Sequence, residues 1–250
     1  MLIDTHAHIY MLENPTEAIE EAFRAGVERI IVPTASEEDF EPVLELCSKY
    51  DELYALLGVH PEDCEKFSDK TASKMIELAK DDKVVGIGEI GLDYHYSKEN
   101  KSAQKNCFIN QLEIAKMLDL PVVIHDREAH GDTFEILQES KVKNVLLHCF
   151  SGSVEFMKQC CAEGYKIALG GVVTFKNAKV PKEVATEVEL DDLMLETDCP
   201  YLAPHPYRGQ ENSPKYIGFV AKEIANLKNI PYDSVVSKTM ENAKKFFNID

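Results

Sequence analysis

Short runs of apolar and β-branched residues alternate along the chain with longer amphipathic stretches. Several of the short runs are apolar throughout, which is typical of parallel strands that are covered on both faces. The pattern predicts eight strands, at residues 2–7, 29–33, 53–59, 84–89, 121–125, 144–149, 165–169 and 193–198. It predicts helices between them, at residues 15–25, 37–50, 71–80, 103–118, 132–140, 154–163 and 182–188, and two more at residues 214–227 and 234–247.

This alternation predicts the fold class. Eight strands and at least eight helices in 250 residues indicate an α/β protein, a single-domain (β/α)8 TIM barrel with an extra C-terminal helix. The alternative is an open doubly wound sheet, whose strands would stop short of closure. No linker, repeat or low-complexity tract marks a boundary, so we expect one domain over residues 1–250. Asn14 followed by Pro15 is predicted to cap the first helix.

Charge and composition restrict the function and the location. The formal net charge of −17 argues against a broad basic surface that follows many phosphates, although a nucleic acid could still be held at one local site. The seven cysteines contain no CxxC pair, which argues against a disulfide framework or a zinc knuckle and fits a reducing cytosol. The sequence also shows no membrane span and no export signal. We therefore expect a cytoplasmic monomer with no membrane association and no obligate protein partner.

The first predicted strand ends in two histidines, His6 and His8, separated by one residue. Residues two apart in a strand project from the same face, so both imidazoles could reach one ion. The alternative is that they only mark the place where a buried strand meets solvent. The spacing alone leaves both interpretations open.

Further histidines and carboxylates lie at the ends of the other predicted strands. His60 lies in GVHP, Glu89 in GIGEIGLD, His125 in PVVIHDR, His148 in LLHCFSG and Asp198 in ETDCP. In a barrel the C-terminal ends of the strands form the active-site face. Imidazoles and carboxylates converging there would be buried without partners unless a cation joined them. We therefore predict two divalent metal ions, Mg²⁺, Mn²⁺ or Zn²⁺, with these ligands: His6, His8, Glu89, His125, His148 and Asp198.

The predicted site indicates hydrolysis. Paired divalent cations lower the pKa of water towards about 7 and polarise a phosphoryl oxygen. Asp198 is predicted to orient or deprotonate the attacking water, with Glu89 as the second catalytic carboxylate. Arg208 and Arg127 are candidates to bind phosphate, since a guanidinium offers a bidentate fork; a structural ion pair at the barrel rim is the alternative for each. The residues expected to support the ligands or carry protons are His60, Asp93 and Glu196.

Seven segments resemble the successive motifs of the TatD-type deoxyribonucleases, in the same order and over nearly the whole length: IDTHAHI, GVHP, EIGLDYH, IHDREA, HCFSG, ETDCPYLAP and PYRGQENSP. The closing NAKKFFN resembles the last helix of that family. The resemblance implies a metal-dependent hydrolase with a (β/α)8 barrel. It implies that His6, His8 and Asp198 belong to one metal position and that His125 and His148 belong to the other, with Glu89 between them. The chain departs from the family at Gln210 and Glu211, where a lysine is common, and this departure argues against a long DNA footprint.

Three functions remain open from the sequence. The leading one is a phosphodiesterase that cleaves DNA at strand ends or in single strands, as an exonuclease. The second is an amidohydrolase-like deacylase or lactonase, which would use the same metal site to hydrolyse a bond other than a phosphodiester. The family that the chain resembles also includes proteins linked with ester hydrolysis of aminoacyl-tRNA. The third is a metal-binding module without catalysis, although a structural site has no need of an open water position.

Overall fold

The computed structural model describes residues 1–95 and 99–250. Its eight strands form one parallel sheet whose order follows the sequence. The strands are β1 (Leu2–Asp4), β2 (Val27–Pro33), β3 (Leu53–Leu57), β4 (Val84–Asp93), β5 (Val122–Arg127), β6 (Val145–Leu147), β7 (Lys166–Leu169) and β8 (Leu193–Leu195). The helices are α1 (Pro15–Arg24), α2 (Phe40–Ser48), α3 (Asp69–Leu78), α4 (Lys101–Leu118), α5 (His130–Ser140), α6 (Val154–Ala162), α7 (Lys179–Glu187), α8 (Ile217–Lys228) and α9 (Tyr232–Phe247). Because α8 already follows β8, α9 is the predicted extra helix.

The described residues divide into two compact units. The terminal unit comprises Met1–Val32 and His148–Asp250, and the central unit comprises Pro33–Leu147. In the terminal unit, β1 pairs with β2 and β7 pairs with β8, in both cases in parallel. In the central unit, β3 to β6 pair in sequence order and also in parallel.

The strands carry the core of each unit. Ile30, Ile31 and Val32 are fully buried in the terminal unit, as are Leu56 and Leu57 in the central unit. Burial of successive residues means that both faces of these strands are covered, as their continuous apolar runs predict. Among residues 1–95 and 99–250, no helix is long and apolar enough to cross a membrane.

Several boundaries differ from the sequence prediction. β1 ends at Asp4, so His6 and His8 lie in the loop after the strand and not within it. β4 continues to Asp93, four residues beyond the predicted end. Asn14 precedes α1, but its side chain makes no capping hydrogen bond. The hydrophobic pattern therefore locates the strands but does not give the residue at which each strand ends.

A bulge in β4 surrounds Glu89. Ile87 pairs with Val122 and Ile90 pairs with Ile124, so two residues of β4 face one residue of β5. Such a bulge bends the strand and redirects side chains. At Gly91, with φ of 143°, an added Cβ would lie 2.0 Å from the carbonyl oxygen of His125. Glycine there permits β4 to approach β5 beside that histidine.

Candidate metal centre

The loop after β1 and the loop after β8 are joined in the terminal unit. The N–H of Asp198 donates to the carbonyl oxygen of His6 at 2.9 Å, and the N–H of His8 donates to that of Cys199 at 2.9 Å. Asp198 takes a left-handed backbone conformation with φ of 56°, which an L-residue adopts at a cost that the surrounding contacts must offset. These bonds hold Asp198 beside the two histidines.

The side chains of this cluster fit a cation. The Nε2 atoms of His6 and His8 lie 3.3 Å apart, and His8 Nε2 lies 3.8 Å from Asp198 Oδ1. Two nitrogens bound at about 2.05 Å to one tetrahedral ion would lie roughly 3.3 Å apart. Both histidines are buried, whereas the Asp198 side chain is 13% exposed. The donor set therefore suits a divalent ion that remains accessible on the side of the carboxylate.

A buried carboxylate, Asp4, supports the cluster from behind. It accepts hydrogen bonds from Thr197 Oγ1 at 2.6 Å, from Thr197 N–H at 2.9 Å and from His6 N–H at 3.3 Å. Complete burial raises the pKa of Asp4 to about 8, although the hydrogen bonds from Thr197 oppose that rise. On the far side of Thr197, Asn212 is also fully buried and donates to the carbonyl oxygens of Thr197 and Tyr201. Both ends of the segment that carries Asp198 are thus fixed.

His148 and Glu196 adjoin the same cluster. The His148 ring stacks on the His6 ring, with centroids 3.8 Å apart and planes inclined by 11°. Glu196 is fully buried; its Oε1 accepts the N–H of Cys149 at 2.6 Å and lies 3.8 Å from His148 Nδ1. Within the part of the chain that the structure describes, Glu196 Oε2 has no hydrogen-bond partner. Glu196 therefore braces the segment that carries His148, and its second oxygen can accept a further proton donor or cation.

The central unit contains a second cluster, formed by His60, Glu89 and His125. Glu89 Oε1 lies 2.7 Å from His125 Nδ1 and 3.6 Å from His60 Nε2. The three side chains offer ligand atoms that all lie within 4.8 Å of one another. His60, predicted from the sequence as a supporting residue, thus becomes a further candidate ligand.

Asp93 orients His125 within this second cluster. Its Oδ2 lies 2.9 Å from His125 Nε2. A neutral imidazole has only one N–H, so Asp93 and Glu89 cannot both accept a hydrogen bond from neutral His125. With the proton on Nε2 towards Asp93, the Nδ1 lone pair on the side of Glu89 is available to a metal ion. The position of Asp93 is set by α4, since Gln104 accepts its N–H and donates to its carbonyl oxygen, each at 2.9 Å. Gln111, on the same helix, holds Val59 beside His60 in the same way.

The two predicted phosphate-binding arginines lie in different surroundings. Arg127 ends β5, and its carbonyl oxygen accepts the N–H of Tyr94. The exposed Arg208 stacks its guanidinium 3.7 Å above the ring of Phe175 and donates to the carbonyl oxygen of Ala203 at 3.4 Å. The role of each arginine in binding phosphate stays a prediction.

Sequence reasoning missed several residues of these clusters. Glu62 lies beside His60, with their side chains 3.7 Å apart. Partial burial raises the pKa of Glu62 and the charge of Asp93 raises it further, whereas His125 and Arg127 oppose the rise. The sequence signal was present, since Glu62 follows the GVHP motif directly. No sequence pattern indicated the roles of Asp4, Thr197 and Asn212, because these residues contact each other only once the chain has folded.

The structure therefore groups the predicted site residues in two sets. His6, His8, His148, Glu196 and Asp198 lie together in the terminal unit, and His60, Glu89, Asp93 and His125 lie together in the central unit. The prediction that both sets bind one pair of metal ions stays a prediction.

Comparison with known proteins identifies the family. A family model described as "TatD related DNase" matches residues 3–248. The "Uncharacterized metal-dependent hydrolase YabD" of Bacillus subtilis (strain 168) is 43% identical over 255 residues, which cover 100% of both chains. The "Uncharacterized metal-dependent hydrolase YcfH" of Escherichia coli (strain K12) is 34% identical over 257 residues, covering 100% of this chain and 96% of its own.

A solved structure confirms the fold class. The crystal structure of YJJV, a TatD homolog from Escherichia coli K12, superimposes with a TM-score of 0.95 at 33% identity, covering 100% of this chain and 98% of that one. The predicted (β/α)8 barrel is therefore correct, and with it the resemblance of the motifs. The chain belongs to the TatD-related DNase family and is a metal-dependent hydrolase.

Proposed function

We propose that this hydrolase is a phosphodiesterase that cleaves DNA, at strand ends or in single strands, with divalent cations as its cofactors. The observation that carries the proposal is the cluster of His6, His8 and Asp198, in which two imidazole nitrogens and a partly exposed carboxylate face one another. A structural metal site has no need of an accessible side, whereas hydrolysis requires room for water and substrate. The family model, whose description names a DNase, supports the same reading.

Both clusters supply ligands in this proposal. His6, His8, His148 and Asp198 would hold cations from the terminal unit, and Glu89 and His125 would do so from the central unit, with His60 as an additional donor. Divalent cations held by these residues would lower the pKa of water and neutralise charge on the phosphate as the bond breaks. Two ions, drawn from Mg²⁺, Mn²⁺ and Zn²⁺, are the expected complement.

The side chains have separate tasks in the reaction. Asp198, at the accessible side of its cluster, accepts a proton from the attacking water at a carboxylate oxygen. Water adds to phosphorus, the bond from phosphorus to the leaving oxygen breaks, and the proton that Asp198 took from water passes to the leaving oxygen, which returns Asp198 to its carboxylate form. Asp93 holds His125 in one tautomer, Glu196 holds the segment of His148, and Glu89 is the second catalytic carboxylate.

Phosphate contacts are few in this proposal. Arg208 and Arg127 offer bidentate guanidinium groups, and stacking on Phe175 holds Arg208 in place before substrate arrives. The formal charge of −17, with the exposed Gln210 and Glu211 next to Arg208, disfavours a long basic track. Short oligonucleotides and strand ends suit such a surface better than long duplex.

We further propose that the protein acts as a monomer in the cytoplasm. All seven cysteines are free thiols, and reduced cysteines are stable in a reducing compartment. Light scattering of the purified protein would test the monomer, with a mass near 28.2 kDa as the expected result.

One experiment tests the proposed reaction. A single metal-loaded preparation is given end-labelled single-stranded DNA, an aminoacyl ester and simple lactones, with an Asp198→Asn preparation as the control for contaminating enzymes. The proposal expects hydrolysis of DNA by the wild type and none by the variant. Hydrolysis of the ester or of lactones without hydrolysis of DNA would show that the family site serves a deacylase or lactonase instead.

A further inference from the structure

Two exposed apolar side chains, Tyr201 and Met11, contact each other in the terminal unit. Tyr201 is 55% exposed and Met11 is 39% exposed. Tyr201 Oη lies 3.9 Å from Met11 Sδ. An aromatic ring beside a polarizable thioether forms an apolar surface that a flat ligand can cover.

Both residues are tied to the first metal cluster by their backbones. The N–H of Met11 donates to the carbonyl oxygen of His8 at 3.0 Å, and the N–H of Tyr201 donates to that of Asp198 at 2.9 Å. The Tyr201 ring centroid lies 6.4 Å from that of His8, with the ring planes inclined by 74°. The apolar surface therefore begins one side chain away from the candidate ligands, and its position is fixed relative to them.

We propose that Tyr201 and Met11 form a stacking platform for a nucleobase next to the bond that is cleaved. The proposal rests on the proposed function, because it names a substrate feature of that same site. Aromatic side chains bind bases of any sequence by stacking, and this stacking contributes a large share of single-strand affinity. A chain with a formal charge of −17 gains little from general attraction to phosphate. A contact with an uncharged part of the substrate, beside the site, would add binding free energy that general attraction to phosphate does not supply.

The occupant is a base and not a further phosphate or a protein chain. Tyr201 and Met11 present no cation, so they offer nothing to an anion beyond the arginines already described. The surface also consists of only two large side chains, which suits one flat ring and is small for a protein interface.

The test compares two substrates that carry the same phosphates. One is a short single-stranded oligonucleotide with normal bases, and the other has the same length with every base removed. KM and kcat are measured for both, and binding of labelled forms of both is measured by fluorescence anisotropy. The proteins are the wild type, Tyr201→Ala, Tyr201→Phe and Tyr232→Ala, the last being another exposed tyrosine, 40% exposed, in α9.

The platform predicts a selective loss. Tyr201→Ala should raise KM and the dissociation constant for the base-bearing oligonucleotide by about 5- to 100-fold, with both unchanged for the abasic one. Tyr201→Phe keeps the ring, so its KM and dissociation constants should equal those of the wild type. Tyr232→Ala should also match the wild type on both substrates. The abasic substrate also reports folding, since a misfolded variant would lose activity on both.

Failure of the platform and failure of the proposed function give different results. Hydrolysis of both oligonucleotides by the wild type with equal KM, or an equal rise of KM on both in a Tyr201→Ala protein that keeps the wild-type kcat, would overturn the platform and leave the phosphodiesterase in place. Binding that depends on the bases and on Tyr201, without hydrolysis of either substrate, would support the platform and overturn the phosphodiesterase.

Discussion

Asp4 and Thr197 are joined by two hydrogen bonds, at 2.6 Å from the hydroxyl and at 2.9 Å from the amide of Thr197. The two residues are 193 positions apart in the sequence, and each lies beside candidate metal ligands. Asp4 also accepts the amide of His6, and Thr197 directly precedes Asp198. The carboxylate of Asp4 therefore positions two ligand-bearing segments relative to each other, although Asp4 itself belongs to none of the candidate ligand groups of the described residues.

This relationship predicts the behaviour of Asp4→Ala. Removal of the carboxylate leaves buried donors without an acceptor, which should lower the free energy of unfolding by about 1–3 kcal/mol. Because the ligand segments lose their alignment, metal affinity should fall by about 10- to 100-fold, as measured by titration of the folded variant.

Thr239→Ala is the matched control for Asp4→Ala. Thr239 is buried in α9 and donates its hydroxyl to the carbonyl oxygen of Val235, so its loss should destabilise the fold without touching the ligands. Its metal affinity should equal that of the wild type. An Asp4→Ala protein with wild-type metal affinity would show that Asp4 contributes to stability alone.

Asp198→Asn should retain the fold and lower kcat by several orders of magnitude, because the change removes both a charged ligand and the proton acceptor. His95→Ala should have little effect, since His95 is 43% exposed and its Nδ1 lies 2.7 Å from the exposed Glu128. Steady-state kinetics of both variants on one oligonucleotide check the prediction. Equal losses of kcat in the two variants would contradict the role of Asp198 as ligand and proton acceptor.

The element order and the chemistry of the site could be predicted from the sequence because they depend on local patterns. Continuous apolar runs located all eight strands, and polar residues at the ends of those runs located the histidines. The exact strand ends could not be predicted. The charge of Glu89 led to the prediction that the strand ends there. In the structure Glu89 lies inside β4, at a bulge.

The supporting contacts could not be predicted, because they join residues that only the fold brings together. Phe175 lies 33 positions before Arg208, and nothing in either segment indicates that the ring and the guanidinium stack. In the same way, nothing in the segments that carry His60 and Glu89 indicates that Nε2 of one lies 3.6 Å from Oε1 of the other. Pattern analysis identifies which residue types gather at strand ends, whereas the distances between them require coordinates.

Binding of DNA should depend only weakly on salt. We expect two or three phosphate contacts, and each neutralised phosphate on a single strand contributes about −0.7 to the slope of log affinity against log salt concentration. With affinity taken as 1/KM, the slope should therefore be about −2 or weaker. Arg208→Ala should raise KM and flatten the slope by a little under one unit. The measurement is a salt series with a short oligonucleotide at fixed metal concentration.

Arg24→Ala serves as the control for the salt series, because Arg24 is 69% exposed and pairs only with Glu20 on α1 among the described ion pairs. It should leave KM and the slope unchanged. A wild-type slope of −5 or steeper, or an Arg208→Ala enzyme that matches the wild type, would indicate a phosphate-binding surface elsewhere.

Asp132 should make a pH-dependent contribution to stability. Hydrogen bonds from Lys105 and then from Tyr94 hold the pKa of Asp132 below its ordinary value of 3.8. Because the folded-state pKa is lowered, the stabilisation is present above pH 3.8 and is lost as the pH falls through the folded-state value.

Urea unfolding of Asp132→Asn and wild type at several pH values checks this sign. The variant should be less stable by about 0.5 kcal/mol at pH 7, as expected for a partly exposed ion pair, and the difference should shrink as the pH approaches 3. A difference that is as large at pH 3 as at pH 7 would contradict the ion pair of Asp132 with Lys105.

The dependence of DNA hydrolysis on metal tests the central claim most directly. The protein is treated with a chelator, its metal content is measured by elemental analysis, and cleavage of an end-labelled single-stranded oligonucleotide is followed before and after addition of Mg²⁺, Mn²⁺ or Zn²⁺. The clusters around His6 and His125 predict no cleavage by the metal-free protein and recovery with at least one of these ions. Full cleavage by protein that elemental analysis shows to be free of metal would contradict the claim.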